Sequence, residues 1–470
     1  MLFSALSNLP PILVSIIYSD GMLGVFFTSF LVVFLAGFVL WAFTARSKGE
    51  LSTKDGFLVV TLFWVVLGTA GCLPFILSPA LDLSITDAVF ESLSGLTTTG
   101  ATVISGLDDL PKSILFYRQE LQWLGGMGII VLAMALLPML GIGGMQLYRA
   151  ESPGPVKDNK LVPRLAETAK LLWYIYLTLT IVCAFAYWAA GMDLFDAISH
   201  SFTTVAIGGF STHDQSLGYF NNSAIDIVAI VFMFIAGINF ALHFTAWQKR
   251  NVRHYLLDPE FLFYTFILVS VAVVTVLILN FSDVYSSMFE ATIKGVFQVV
   301  SIATTTGFAT ADFNSWPLFL PYMLLYASII GACAGSTGGG MKVIRILLIF
   351  KQGLREVQRL IHPRAIIPIK LGRKPVPDRI IESVWGFFAV YVMAFMLMLL
   401  ALVATGLDVI TAFSAVGACI NNLGPGLAGV AETYGHLPAT AKWILCFAML
   451  LGRLEIFTLL VLFMPMFWRR

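Results

Sequence analysis

Residues Ile302–Thr310 read IATTTGFAT, and Leu96–Thr102 read LTTTGAT. Threonine and glycine are poor helix formers, yet both stretches lie in a chain that is 58% hydrophobic. With the residues that precede them, they become DAVFESLSGLTTTGAT from Asp87 and KGVFQVVSIATTTGFA from Lys294. Two further segments take the same register without gaps: DAISHSFTTVAIGGFS from Asp196 and TAFSAVGACINNLGPG from Thr411. A glycine falls at one offset in all four, namely Gly100, Gly209, Gly307 and Gly424. One TTTG motif says little; four in register signify an internal repeat.

Each copy is moderately apolar, at about 86–96, 196–206, 292–303 and 410–420, and too short to cross a membrane. Longer apolar runs surround them at about 3–19, 23–44, 57–79, 113–140, 168–191, 223–247, 261–281, 317–350, 381–406 and 439–467. These runs predict about ten transmembrane helices, since about 20 apolar residues cross the hydrocarbon. Only 12% of the residues are charged, against about 25% in soluble domains. Runs such as FLVVTLFWVVLGTAG from Phe57 do not alternate in polarity, which excludes a transmembrane β-barrel. The predicted fold is an all-α polytopic membrane protein of four span, pore helix, loop, span repeats with pseudo-fourfold symmetry. An N-terminal two-helix unit over residues 1–50 precedes repeats at 51–150, 151–255, 256–365 and 366–470. The stretch around Pro10 and Pro11 lacks a basic leader and a small-residue cleavage site and is expected to be a retained helix. Cys72, Cys183, Cys333, Cys419 and Cys446 form no CxxC pair and are expected to pack as small hydrophobes.

Lysine and arginine set the orientation. Of the 28 basic residues, 23 cluster in the segments around Arg46, Arg149, Lys249 and Lys342–Arg379 and at Arg469 and Arg470. The positive-inside rule makes that face, and both termini, cytoplasmic. The opposite loops carry Asp108, Asp109, Asp214, Asp312 and Glu432, an acidic outer face that attracts cations. The short segments enter from that side.

Non-helical backbone at membrane depth is tolerated only when buried in protein or lining an aqueous path. Four loops on one axis supply rings of carbonyl oxygens that replace the hydration shell of a monovalent cation. Glycine is needed where the backbone takes torsions closed to larger residues or approaches another chain closely. Each short helix aims its partially negative C-terminus inward. Asp87, Asp196 and Asp408 stand where they would cap the opposite ends.

On LTTTGAT, AIGGFSTHD, TTTGFAT, NNLGPGL, AGSTGGGMKVIR, MQLYRAESPGPVKD and LGRLEIFT, the chain resembles the membrane subunit of the bacterial Trk potassium uptake system, in the Trk/Ktr/HKT superfamily. The resemblance covers essentially the whole chain. It implies a potassium filter built from the carbonyls of Thr97, Thr98, Thr99 and Gly100; Ala206, Ile207, Gly208 and Gly209; Thr304, Thr305, Thr306 and Gly307; and Asn421, Asn422, Leu423 and Gly424. It further implies a multi-pass protein of the bacterial inner membrane, a homodimer in contact with membrane lipids, and a soluble nucleotide-binding regulatory subunit docked on the basic cytoplasmic face. Potassium is then the transported ion. No organic cofactor and no nucleic acid is expected. The second and fourth loops lack the three threonines of the first and third, so the sites are chemically unequal and weaker selection against sodium is expected.

The run GACAGSTGGGMK, Gly331–Lys342, interrupts an apolar span. It is no phosphate loop, since its lysine follows Gly340-Met341 and no strand precedes it. Gly335, Ser336, Thr337, Gly338, Gly339 and Gly340 are the predicted gate beneath the filter, because such a glycine run costs helix stability. Arg453 joins them: a charge at mid-membrane costs about 3 kcal/mol or more, and the resemblance puts this arginine under the filter. It is not expected to pair with Glu455, two residues away on a helix. Lys112, Arg118 and Glu120 are expected at the interface, with shaping of the outer mouth as the alternative, and His200 is expected to bond within its own short helix. Transport coupled to H+ or Na+ stays open as an alternative. An enzyme using His200, His243 or Glu91 is disfavoured, because HExxH, GxSxG and paired intramembrane aspartates are all absent.

Overall fold

The apolar runs become helices, and the residues that interrupt them decide where the helices break. In the computed structural model residues 1–44, 53–131, 161–317, 319–372 and 374–469 are described. Arg46, Lys48, Arg149, Lys157, Lys160, Arg373, Arg470 and the whole MQLYRAESPGPVKD segment lie outside them. The end of the expected span 113–140 does too; its described part is helix Lys112–Val131. Among the described residues, five helices are long and apolar enough to cross a membrane: Leu23–Thr44, Asp55–Leu77, Ala169–Ala189, Pro259–Phe281 and Asp378–Ala404. Their outward faces expose Leu35, Phe266, Leu277, Leu397 and Leu400. An apolar exterior of this extent suits hydrocarbon rather than water. The chain is a mostly helical polytopic membrane protein.

Several expected spans are interrupted. Ser223–Ala236 and Phe240–Gln248 meet at 89°, and Ala439–Arg453 and Phe457–Phe463 at 111°. Helices Leu320–Ile330 and Val343–Ile361 are separated by the glycine run. A broken helix frees carbonyls that must find donors inside the protein. At the first break His243 Nε2 lies 3.0 Å from Ile235 O, Tyr264 OH donates to Phe234 O at 3.2 Å, and Cys333 N donates to Gly237 O at 3.0 Å. The expected first span, 3–19, is likewise two helices, Leu2–Leu6 and Leu9–Tyr18.

The four short segments are helices Ile85–Leu96, Leu194–Val205, Met288–Ala303 and Val409–Ile420. Their N-caps correct the expectation. Ser84, Asp193 and Ser287 take the cap position, and only Asp408 caps as read from the sequence. Asp87 and Asp196 stand three residues inside, where Ser84 Oγ donates to Asp87 Oδ2 at 2.7 Å in a capping-box arrangement. The first and fourth short helices share one apolar core with Phe90, Leu93, Ala415 and Val416. The second packs Ala197 and Val205 against Tyr187, and the third packs Val299 and Ile302 against Leu320. All five cysteines are buried and free.

Candidate functional site

Each short helix runs into a loop built the same way. The third loop residue donates to the carbonyl five residues back: Thr99 N to Ser94 O at 2.8 Å, Gly208 N to Thr203 O at 2.8 Å, Thr306 N to Ser301 O at 2.7 Å and Leu423 N to Ala418 O at 2.8 Å. Thr97, Ala206, Thr304 and Asn421 have φ of −75°, −73°, −76° and −88°. The second residues are left-handed, with φ of 52° at Thr98, 53° at Ile207, 70° at Thr305 and 53° at Asn422. The closing glycines have φ between 80° and 97°. Alternating handedness gathers successive N–H groups on one side of the strand and leaves the carbonyl oxygens on the other. The left-handed conformation costs a non-glycine residue about 1–2 kcal/mol, and such strain persists only where the surroundings over-determine it.

The glycines join the loops into a ring. A Cβ on Gly100 would overlap the carbonyl oxygen of Gly208, one on Gly209 that of Thr306, and one on Gly307 that of Leu423. A Cβ on Gly424 would lie 2.6 Å from Thr99 O. Each loop therefore abuts the next in chain order, and the fourth returns to the first. Gly100, Gly209, Gly307 and Gly424 also line a single cavity of about 470 Å³, with Asp214, Asp312 and Glu432 at its wall.

The threonine hydroxyls turn away from this cavity. Thr97 Oγ1 donates to Leu93 O at 2.7 Å and is paired with Thr99 Oγ1 at 2.7 Å; Thr304 repeats both contacts with Val300 O at 2.7 Å and Thr306 Oγ1 at 2.8 Å. In the fourth loop Tyr391 OH donates to Asn421 Oδ1 at 2.8 Å, and Asn422 Nδ2 donates to Thr99 Oγ1 at 3.0 Å. Hydroxyls and amides brace the loops, and the four closing glycines face the cavity.

On the other side the glycine run packs directly against the loops. Gly339 N donates to Thr305 Oγ1 at 2.7 Å, Gly340 N to Asn421 O at 3.0 Å and Thr337 Oγ1 to Val205 O at 3.0 Å. A Cβ on Gly339 would overlap Asn421 O, and one on Gly338 would lie 2.8 Å from Thr304 O. Arg453, 1% exposed, donates through Nη1 to Thr337 O at 3.1 Å and through Nη2 to Gly125 O at 3.3 Å. Its guanidinium lies 5.7 Å from the Trp64 ring centroid. Glu455 pairs with Arg345 at 2.5 Å and not with Arg453. A second cavity of only about 20 Å³ lies between Gly335, Gly338, Asn422 and Arg453.

The family model for TrkH, cation transport protein, matches residues 23–470. The chain belongs to the TrkH family. It is 58% identical over 470 residues to the Trk system potassium uptake protein TrkH of Vibrio parahaemolyticus, covering 100% of this chain and 97% of that one. It is 56% identical over 469 residues to the protein of the same name from Escherichia coli K12, with 100% and 97% covered. The crystal structure of the potassium transporter TrkH from Vibrio parahaemolyticus superposes with a TM-score of 0.93 at 54% identity, covering 100% of this chain and 97% of that chain.

In this TrkH-family chain the residues just past the first three loops are also fastened, and sequence reading missed how. Arg118 Nε donates to Glu91 Oε1 at 2.8 Å, Nη1 to Ser211 O at 3.1 Å and Nη2 to Thr102 Oγ1 at 3.1 Å. Arg118 is thus a buried brace lining the large cavity, not an interfacial residue. Residues aligned in the repeat share this work. Glu91 accepts from Val103 N at 2.9 Å, His200 Nε2 lies 2.9 Å from Ser211 Oγ, and Gln298 Nε2 donates to Ala311 O at 3.1 Å. His200 Nδ1 lies 2.9 Å from Asp196 O within its own helix, as expected. At the rim His213 bridges Asp108 at 2.5 Å and Asp196 at 3.1 Å, and Asp214 accepts from Gly106 N at 3.0 Å and Leu107 N at 2.8 Å. Burial alone would lower the His213 pKa, but its bonds to Asp196 and Asp108 outweigh burial and raise it. The signal for these tethers was available only as aligned polar residues at one offset in three of the four repeats.

Proposed function

We propose that the chain is the potassium-translocating membrane subunit of a Trk-type uptake system in the bacterial inner membrane. Its relatives' names point to potassium uptake, and the chain's own geometry supplies a means. The observation that carries this reading is the closed ring, in which each loop's glycine abuts the carbonyl of the next.

Potassium gathers in the acidic outer cavity and exchanges its water for carbonyls of Thr97–Gly100, Ala206–Gly209, Thr304–Gly307 and Asn421–Gly424. The four repeats, 51–150, 151–255, 256–365 and 366–470, surround this filter with pseudo-fourfold symmetry behind the two-helix unit, and both termini are cytoplasmic. Gly335–Gly340 obstruct the path below, held by Arg453, and must move for an ion to pass. The basic segment from Lys351 to Arg379 docks a soluble nucleotide-binding regulatory subunit, and the protein works as a homodimer.

The second reading is symport coupled to H+ or Na+. Glu120 favours it: this carboxyl is 5% exposed within helix Lys112–Val131, and its Oε2 has no hydrogen-bond partner among the described residues. An ionisable group at such a place is a candidate carrier of a coupling proton. The test is growth rescue at low potassium in a cell lacking its own uptake systems, with rubidium flux into liposomes measured with and without a proton gradient. Failure to restore growth refutes potassium uptake. Flux that needs the gradient replaces the channel reading with symport.

A further inference from the structure

Loops one and three are braced from within by the hydroxyl pairs Thr97–Thr99 and Thr304–Thr306. Loop two has Ala206 and Gly208 at those positions, so it has no internal brace. Gln122, 0% exposed on helix Lys112–Val131, reaches it from outside. Its Nε2 donates to Gly208 O at 2.6 Å and its Oε1 accepts from Phe210 N at 3.0 Å, so one carboxamide spans the residues on either side of Gly209. Gly208 O faces Gly100 in the ring. Among the described residues it is also the one third-position carbonyl of the four that accepts a hydrogen bond. A Cβ on Gly208 would overlap the Gln122 carboxamide. A threonine in the loop and a glutamine behind it therefore exclude each other, and glycine at this position is the opening through which Gln122 enters.

We propose that Gln122 is a positioning residue for cation discrimination, standing in for the missing hydroxyl brace and holding the Gly208 carbonyl in the ring. The proposal rests on the filter reading above. A ring in which one oxygen is free to shift adapts to sodium as well as to potassium, because discrimination depends on the number and placement of coordinating oxygens.

The test measures rubidium and sodium fluxes of the purified protein in liposomes and compares their ratio. Gln122→Met keeps the volume and removes both hydrogen bonds; the rubidium-to-sodium ratio is expected to fall about fivefold, the equivalent of one typical hydrogen bond. The triple variant Gln122→Ala/Ala206→Thr/Gly208→Thr exchanges one brace for the other and is expected to restore the ratio, which a role in bulk stability would not do. Gly307→Ser serves as the filter control. An unchanged ratio in Gln122→Met beside a lowered one in Gly307→Ser overturns the role of Gln122 and leaves the filter standing; no change in either overturns both. If Gln122→Met does not fold, the triple variant decides: a parental ratio supports the exchange of braces, and a lowered ratio or loss of folding overturns it.

Discussion

Replacing Arg453 by alanine removes a side chain that ties the glycine run to the helix behind the first loop. In the parent, Nη1 donates to Thr337 O at 3.1 Å and Nη2 to Gly125 O at 3.3 Å. Each bond from a charged donor is worth about 1.5–3 kcal/mol. Against this stands the cost of keeping a cation in the membrane interior, about 3 kcal/mol or more. In the proposed gate the bond to Thr337 O belongs to the closed arrangement, because that carbonyl moves when the run moves, whereas Gly125 stays on its helix. Losing even about 1.4 kcal/mol from the closed state alone shifts the open population tenfold. Arg453→Ala should therefore raise rubidium flux about tenfold through the purified protein in liposomes, with no partner subunit added. Arg453→Lys keeps the charge, but a single ammonium cannot span the two acceptors as the planar guanidinium does, so an intermediate flux is expected. Unchanged or lower flux in an Arg453→Ala protein that elutes as one species with a parental melting temperature would refute the reasoning.

Gly339→Ala tests the same contact from the other side. Its Cβ has no room beside Asn421 O, so the run must back away from the loop, and flux should rise as in Arg453→Ala; tight closure with parental flux would show that the run is not seated there. His213 gives a pH dependence. Its raised pKa means that the protonated bridge to Asp108 and Asp196 stabilises the fold fully below about pH 6.5 and is lost as the pH climbs through the raised value. The difference in melting temperature between the parent and His213→Gln should accordingly be largest near pH 6 and shrink toward pH 9. A difference that does not vary with pH would sink this account.

Local torsional demands were legible in the sequence. Glycine at one offset of four repeats announced a backbone that side chains cannot adopt, and Gly100, Gly209, Gly307 and Gly424 do take positive φ. The short helices were legible for a similar reason, since length and apolarity together excluded a span. Their caps were not. Asp87 and Asp196 are good capping types, but a capping box puts a hydroxyl or carboxylate three residues earlier, and composition alone does not choose between the two sites. Arg118 read as interfacial because its partners Glu91 and Ser211 are far away in sequence. The helix breaks beyond Ala236 and Arg453 were also hidden, because the apolar runs resume at once beyond Asn239 and Glu455, so composition reads each pair of helices as one span.

By itself the sequence determined a helical, membrane-embedded chain in which a glycine recurs at one offset of four aligned segments, because these follow from residue type and period. Tertiary structure alone decided that the four glycine loops meet in a ring, with threonine hydroxyls turned behind them. It alone brought Gln122, Arg118 and Arg453 against carbonyls distant in the chain. Carbonyl oxygens are identical at every residue, so no side-chain pattern records which of them a fold will gather at one place.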